Sequence, residues 1–165
     1  MSKSAPDNPG DERESLIAEI HAAFRDVNRD GGVSWSETIE IDNYGSESAR
    51  QAARRSDRDR HWSELVNDDK WDPGPGGSIG GFVFLDPIGF RYYLPAAMIR
   101  CLRHLEDVGN VSCFLLSPDL KRPEDPVFDL QQCRCIARFL WYIAREMEPS
   151  EDWLILLERH WQDFL

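Results

Sequence analysis

The stretch from Phe82 to Asp107, FVFLDPIGFRYYLPAAMIRCLRHLED, constrains the fold more than any other part of the chain. Phe82, Phe84, Phe90, Tyr92 and Tyr93 crowd into its first half. Aromatic side chains of this size each bury about 150–250 Å². A surface loop cannot leave that much apolar area in water, so this segment belongs in the middle of a core. Phe82-Val-Phe-Leu85 is short, β-branched and aromatic, and reads as a strand. Asp86-Pro87 has two readings. It can turn at Gly89 and form a hairpin with Phe90 to Tyr93, or Asp86 can be an N-cap with Pro87 at the first helical position. The helical turn is the preferred one. Leu94 precedes Pro95, which pushes it out of the α region. Pro95 is therefore expected to start a new helix, with Met98, Ile99, Leu102 and Leu105 as its apolar stripe and Gly109-Asn110 as its stop.

The rest of the chain reads as helices around this centre. Residues 1–10 are polar and Pro-containing, the pattern of a mobile tail. Leu16, Ile17, Ile20, Phe24 and Val27 share one face of a first helix from about Asp11 to Val27. Ser34 and Glu37 make a capping box for a short second helix ending near Tyr44-Gly45. A third helix begins near Ser46. It carries Arg50, Arg54, Arg55, Arg58 and Arg60, interleaved with Asp57 and Asp59, and reads as a solvated face. His61 to Val66 forms another short helix. Residues 67–81 form a flexible Gly/Pro loop. A long helix is expected from about Asp129 to Met147, with Cys133, Ile136, Ala137, Leu140, Trp141, Ala144 and Met147 on its apolar stripe. Ser150 caps the last helix, whose inner face carries Trp153, Leu154, Leu157, Trp161 and Phe164. The short link between the last two predicts antiparallel packing. The expected fold is mainly α. It is a single domain over residues 11–165, a bundle of about six or seven helices with at most one small hairpin near 82–93.

Charge and composition limit the function. The net charge is −11. Non-specific nucleic-acid binding needs basic groups that displace counterions, and anionic membranes attract the same groups. Neither partner is expected; a basic protein is the better fit. No basic segment followed by an apolar run opens the chain, and no run of about 18 apolar residues occurs. Four Cys in 165 residues do not make a disulfide framework. These features predict a soluble, cytoplasmic protein.

The segment Asp26 to Glu37, DVNRDGGVSWSE, matches the EF-hand loop pattern. In that reading Asp26, Asn28 and Asp30 supply side-chain oxygens and Gly32 a backbone carbonyl. Ser34 acts through water, and Glu37 closes a calcium site with two oxygens. Against it, the hand would be alone, and Arg25 and Thr38 stand where apolar residues usually flank such a loop. The same Ser34 and Glu37 serve equally well as a capping box, and that reading is preferred.

Other constellations are weaker. Gly76-Gly-Ser78-Ile-Gly80 matches G-x-S-x-G, but a nucleophile elbow needs a strand before Ser78 and a helix after it. Cys101 and His104, or Cys133 and Cys135, do not supply four converging zinc ligands. Cys133 reads as a small core residue. His21, His61 and His160 have no evident Cys or Ser partner, and Asp68, Asp69 and Asp72 read as a solvated acidic loop. No nucleophile has its base, so an enzyme is not expected. Arg91, between Phe90 and Tyr92, reads as a half-buried ion pair that braces the core.

Phe84-Leu-Asp-Pro-Ile-Gly-Phe-Arg-Tyr-Tyr-Leu-Pro-Ala-Ala-Met98 resembles the F-L-D-x-x-G-F-R-x-Y-L-P-A-x-M signature of a mainly bacterial family, domain of unknown function 6714. Val33-Ser-Trp-Ser-Glu37, Asp42-Asn-Tyr-Gly-Ser46 and the Arg-rich helix leading into Trp62 are similar to that family too. The resemblance covers roughly residues 14 to 147. The Gly-rich insert before Phe82 departs from it. The resemblance narrows the fold and carries no activity, cofactor or catalytic residue. The expected function is an acidic intracellular protein-binding module, inhibitor-like or immunity-like, without a cofactor. The alternatives are calcium binding through residues 26–37, and a small ligand-binding or enzymatic site around Arg91, Tyr92 and Tyr93.

Overall fold

The computed structural model describes residues 9–73, 81–105, 111–112, 115–116 and 127–165. The fold is mainly α, and no strand occurs among the described residues. The helices are α1 (Pro9–Ala23), α2 (Trp35–Asp42), α3 (Glu47–Ser56), α4 (Pro87–Arg103), α5 (Leu130–Glu146) and α6 (Glu151–Trp161). Short 3-10 turns cover Trp62–Asn67, Gly81–Phe84 and Gln162–Phe164. Residues 1–8, residues 74–80 of the Gly/Pro loop including Ser78, and Gly109-Asn110 lie outside the described residues.

Helix starts follow local chemistry. Side-chain oxygens accept from the exposed N–H groups of the first turn. Ser46 accepts from Ala49 N at 3.2 Å, Asp86 from Gly89 N at 2.8 Å, Asp129 from Gln132 N at 2.8 Å and Ser150 from Trp153 N at 3.3 Å. Gln132 returns the favour at α5, its Oε1 accepting from Asp129 N at 3.3 Å. Apolar faces then decide packing. α1 lies against α4 and α5, α2 against α3 and the 81–84 turn, and α5 against α6 and the 162–164 turn. The core holds Phe24, Trp62, Tyr93, Leu94, Met98, Ile99, Phe139, Leu140 and Leu157, all fully buried.

Four expectations change. Phe82–Leu85 is no strand, and the hairpin does not form: Gly81–Phe84 is a 3-10 turn leading into Asp86, which caps α4. Pro95 does not begin a helix, because α4 runs through it without interruption. Proline removes the bond to the Arg91 carbonyl and costs about 3 kcal/mol in a helix interior. Tyr92, Tyr93, Leu94, Met98, Ile99 and Leu102 are all buried along α4. At about 1.5–3 kcal/mol per large buried side chain, their packing outweighs that penalty. α1 ends at Ala23, and Phe24 and Val27 enter the core from the turn that follows. On α5 the buried face is wider than expected: Cys135, Phe139, Tyr142 and Ile143 are buried with Ile136, Ala137 and Leu140, Cys133, Trp141 and Ala144 pack half-buried on the core, and Met147 is 41% exposed.

α2 ends in an arrangement usually built on glycine. Gly45 N donates to Glu40 O at 2.7 Å and Tyr44 N to Ile41 O at 3.1 Å. This paired closure puts Tyr44 in the left-handed region, with φ 56°. The Tyr44 side chain is 96% exposed and packs on nothing that repays the conformation. An L-residue there costs about 1–2 kcal/mol, against about 0.5–1 kcal/mol for the extra freedom glycine loses on folding. Tyr44→Gly is therefore expected to stabilise the protein by about 0.5–1 kcal/mol, read as a raised urea midpoint. An unchanged or lowered midpoint would mean that the ring makes a contact in solution.

Candidate functional site

α2 is only eight residues long, and its N-terminus is where the chain converges. Each N–H at the start of such a helix needs an acceptor from outside it. Ser34 N donates to Glu37 Oε2 at 3.2 Å. Trp35 N donates to the Tyr93 hydroxyl of α4 at 2.9 Å. Ser36 N donates to Asp57 Oδ2 at 2.8 Å, and Ser36 Oγ to Asp57 Oδ1 at 2.5 Å. Asp57 follows α3, so three separate segments meet on one helix end. A carboxylate there also faces the positive end of the helix dipole.

Asp86 ties the preceding loop to α4. Its Oδ1 accepts from Gly89 N and from Val33 N, the latter at 2.9 Å. The two backbones are in direct contact. A Cβ on Gly89 would stand 2.5 Å from Val33 O, and one on Gly32 would stand 2.9 Å from Gly89 N.

Tyr92 and Tyr93 lie beside this junction. Tyr93 Oη accepts from Arg29 Nη1 at 2.7 Å as well as from Trp35 N. Tyr92 Oη donates to Asp59 Oδ2 at 2.6 Å. The Arg29 guanidinium stands 5.7 Å and 5.9 Å from the centres of the two rings, within cation–π range. It also pairs with Asp57 at 3.7 Å. Burial would by itself lower the Arg29 pKa, but the facing Tyr93, Asp59 and Asp57 more than reverse it, so the net shift is upward. Burial raises both tyrosine pKa values, helped at Tyr92 by the hydrogen bond to Asp59 and at Tyr93 by the Asp59 charge. Both phenols stay protonated at ordinary pH. They act as hydrogen-bonding groups rather than bases.

Glu37 is 3% exposed. Its carboxylate receives Arg54 Nη2 at 2.8 Å, Arg54 Nε at 3.0 Å and Arg50 Nη2 at 3.3 Å. Arg50 and Arg54 of the exposed α3 face, their side chains 35% and 41% exposed, thus reach over onto the residue expected to close a calcium loop. Asp26, Asn28 and Asp30 are exposed, and Asn28 Oδ1 accepts from Asp30 N at 3.2 Å. Ser34 is buried, its Oγ without a hydrogen-bond partner, and Gly32 packs on Ile88. Asp26, Asp30 and Glu37 do not gather into a metal-holding group, and no such group of His, Cys, Asp or Glu occurs among the described residues. Cys101 and Cys135 are buried, and burial pushes the Cys135 thiol up to about 12.

Arg91 points away from the tyrosine pair. Its Nε donates to Gln132 Oε1 at 3.0 Å, and its Nη2 is 3.8 Å from Asp129 at the start of α5. It braces α4 against α5 at the protein's edge. His21 stacks on Trp62 at 5.1 Å, and burial, then Arg103, lower its pKa. His61 Nδ1 stands 2.8 Å from Ser63 Oγ, a serine partner not seen in the sequence, and its Nε2 lies 2.9 Å from Arg25 O.

The tyrosine junction opens into a cleft of about 610 Å³. Trp35, Trp71 and Tyr93 line it with aromatic surface. Trp35 lies 5.3 Å from both other rings, centre to centre. Asp57, Asp59, Glu64 and Asp68 add four carboxylates, against two cations, Arg58 and Lys70. Sequence reasoning found Tyr93 through its aromatic run but missed Asp57, Asp59, Trp35 and Trp71 as cleft residues. Neither Asp had any local signal beyond interrupting an arginine series.

A family model described as a family of unknown function, DUF6714, matches residues 12–164. No curated protein and no solved structure matches the chain.

Proposed function

Because the chain belongs to the DUF6714 family, whose description assigns no activity, we propose its function from its own geometry: it is a binding module whose acidic aromatic cleft takes a basic side chain of a protein partner. The observation that carries this reading is the pairing of Trp35, Trp71 and Tyr93 with Asp57, Asp59, Glu64 and Asp68 in one cleft. A lysine or arginine entering it meets the half-buried Trp35 ring, a cation–π contact worth about 0.5–2 kcal/mol, and carboxylates that neutralise its charge; Trp71 and Tyr93 are buried behind, with Arg100 and Arg29 already over their rings. The cleft size falls within the range of about 300–1,000 Å³ typical of binding sites. The overall charge of −11 would steer such a partner toward the surface and speed encounter.

The role of each acid differs. Asp57 and Asp59 already hold Ser36, Arg29 and Tyr92, so they set the shape of the wall. Among the described residues, the Glu64 and Asp68 carboxylates accept backbone N–H groups alone, from Arg60 at 3.1 Å and Lys70 at 3.0 Å. They are the carboxylates left to receive a cation.

The test is calorimetric titration of the full chain with a short arginine- and lysine-containing peptide and with its glutamine-substituted counterpart. Binding by the basic peptide is expected, with Glu64→Gln plus Asp68→Asn weakening it about tenfold, or about 1.4 kcal/mol. Raising salt from 0.05 to 0.5 M should weaken it further. Equal binding of both peptides, or binding untouched by the double substitution, would defeat the proposal.

A further inference from the structure

A second cleft, of about 440 Å³, lies between the 26–30 loop and the first turns of α4. It shares no lining residue with the acidic aromatic cleft. Three kinds of surface meet in it. Asp26 and Asp30 supply carboxylates, Arg91 a guanidinium, and Pro87, Ile88 and Val127 an aliphatic wall. Ile88 is 46% exposed there. Neither carboxylate has a hydrogen bond or ion pair among the described contacts. Among the described residues Arg91 has one hydrogen bond, to Gln132, and one ion pair at 3.8 Å, with Asp129. A guanidinium carries five N–H donors, so most of the fork is left for another acceptor.

The charges decide which ligand class suits. A divalent cation would be drawn by Asp26 and Asp30 but repelled by Arg91 beside them. A simple anion meets the reverse conflict. A ligand carrying an ammonium and a carboxylate on a short apolar body satisfies both sides. We propose that this cleft binds a free aliphatic α-amino acid. Its carboxylate pairs with the Arg91 fork, its ammonium lies against Asp26 and Asp30, and its side chain packs on Ile88 and Val127. The Arg–carboxylate contact is a charge-assisted, bidentate one, which fixes the ligand's orientation.

The experiment follows backbone amides of the ¹⁵N-labelled full chain during titration with L-leucine, N-acetyl-leucine and leucinamide. Saturable shifts at residues 26–30 and 88–91 are expected with leucine. Blocking either charged end should weaken binding about tenfold or more. Asp30→Asn, at an exposed position that leaves the fold intact, should weaken leucine to a similar degree. Arg91→Lys keeps the charge, loses the fork, and is expected to fall between the two. Absence of saturable shifts up to about 10 mM leucine would overturn the proposal, as would equal affinity for the capped analogues or an Asp30→Asn variant that binds like the parent.

Discussion

Replacing Gly89 with alanine is expected to destabilise the protein by about 2–3 kcal/mol, although helix propensity predicts the opposite. Gly89 lies in the first turn of α4, where alanine is better than glycine by up to about 1 kcal/mol. The new Cβ, however, would stand 2.5 Å from Val33 O, 3.0 Å from Asp86 Oδ1 and 3.1 Å from Leu85 Cδ2. Overpacking of this kind costs about 1–3 kcal/mol when neighbours can move. Here the nearest neighbour is backbone, and Asp86 pins that backbone through Val33 N while also capping α4. Moving the loop therefore strains or breaks a charge-assisted bond worth about 1.5–3 kcal/mol. For a chain of this size the loss corresponds to a Tm lowered by about 4–12 °C, checked by thermal and urea unfolding. A variant as stable as the parent would show that the loop and α4 are not in contact in solution.

Tyr93→Phe is expected to cost about 2–4 kcal/mol while leaving every apolar contact of the ring in place. The hydroxyl is the acceptor for both Trp35 N and Arg29 Nη1. Without it, an N–H at the start of α2 and a half-buried guanidinium each lose a partner. The Trp35 and Ser36 amides should then exchange with solvent well ahead of global unfolding. Tyr92→Phe removes a single donor to Asp59 and should cost less, about 1–2 kcal/mol. The pair also sets an alkaline limit. Burial raises both phenol pKa values in the folded state, so their contribution is full below the unfolded tyrosine value of about 10 and is lost as pH climbs above it. Parent stability should fall above about pH 10, and the slope should flatten in the Phe variants. A Tyr93→Phe protein with parental stability and unaltered exchange at Trp35 would remove the junction from this account.

Reading of the chain succeeded where a decision rests on neighbours in sequence. Asp86, Asp129 and Ser150 were legible as helix starts because a cap is made within three residues. Leu16, Ile17 and Ile20 were legible as core because helical spacing puts them on one side, whereas Phe24 and Val27 are buried from the turn after α1 and not by the helix expected there. On α5 the same logic held in part: Ile136, Ala137 and Leu140 are buried and Cys133, Trp141 and Ala144 pack half-buried on the core, but it missed Cys135, Phe139, Tyr142 and Ile143. Only the positions of α1 and α6 decide which side of α5 is covered. At the candidate site, Tyr93 stood out by composition, while its partners Trp35 and Arg29 lie 58 and 64 residues away. No periodicity carries information over that span.

Glu37 shows the division most clearly. The residues around it permit a helix cap, a calcium ligand or an ion pair, because a carboxylate suits N–H groups, cations and guanidinium alike. Local sequence determined that α2 starts at Ser34 and that Glu37 reaches back to its N–H. Only the packing of α3 on α2 placed Arg50 and Arg54 against the remaining oxygens. Likewise, the sequence by itself put Phe82, Phe90, Tyr92 and Tyr93 in the core, through the sheer apolar area of their aromatic side chains. Tertiary structure decided that α4 runs through Pro95, since a local penalty of about 3 kcal/mol is smaller than the burial gained on both sides of it. Helix formation and capping are short-range and additive enough to be read from a string. The partner of a polar side chain, and the sign of a substitution such as Gly89→Ala, depend on which distant backbone arrives beside it.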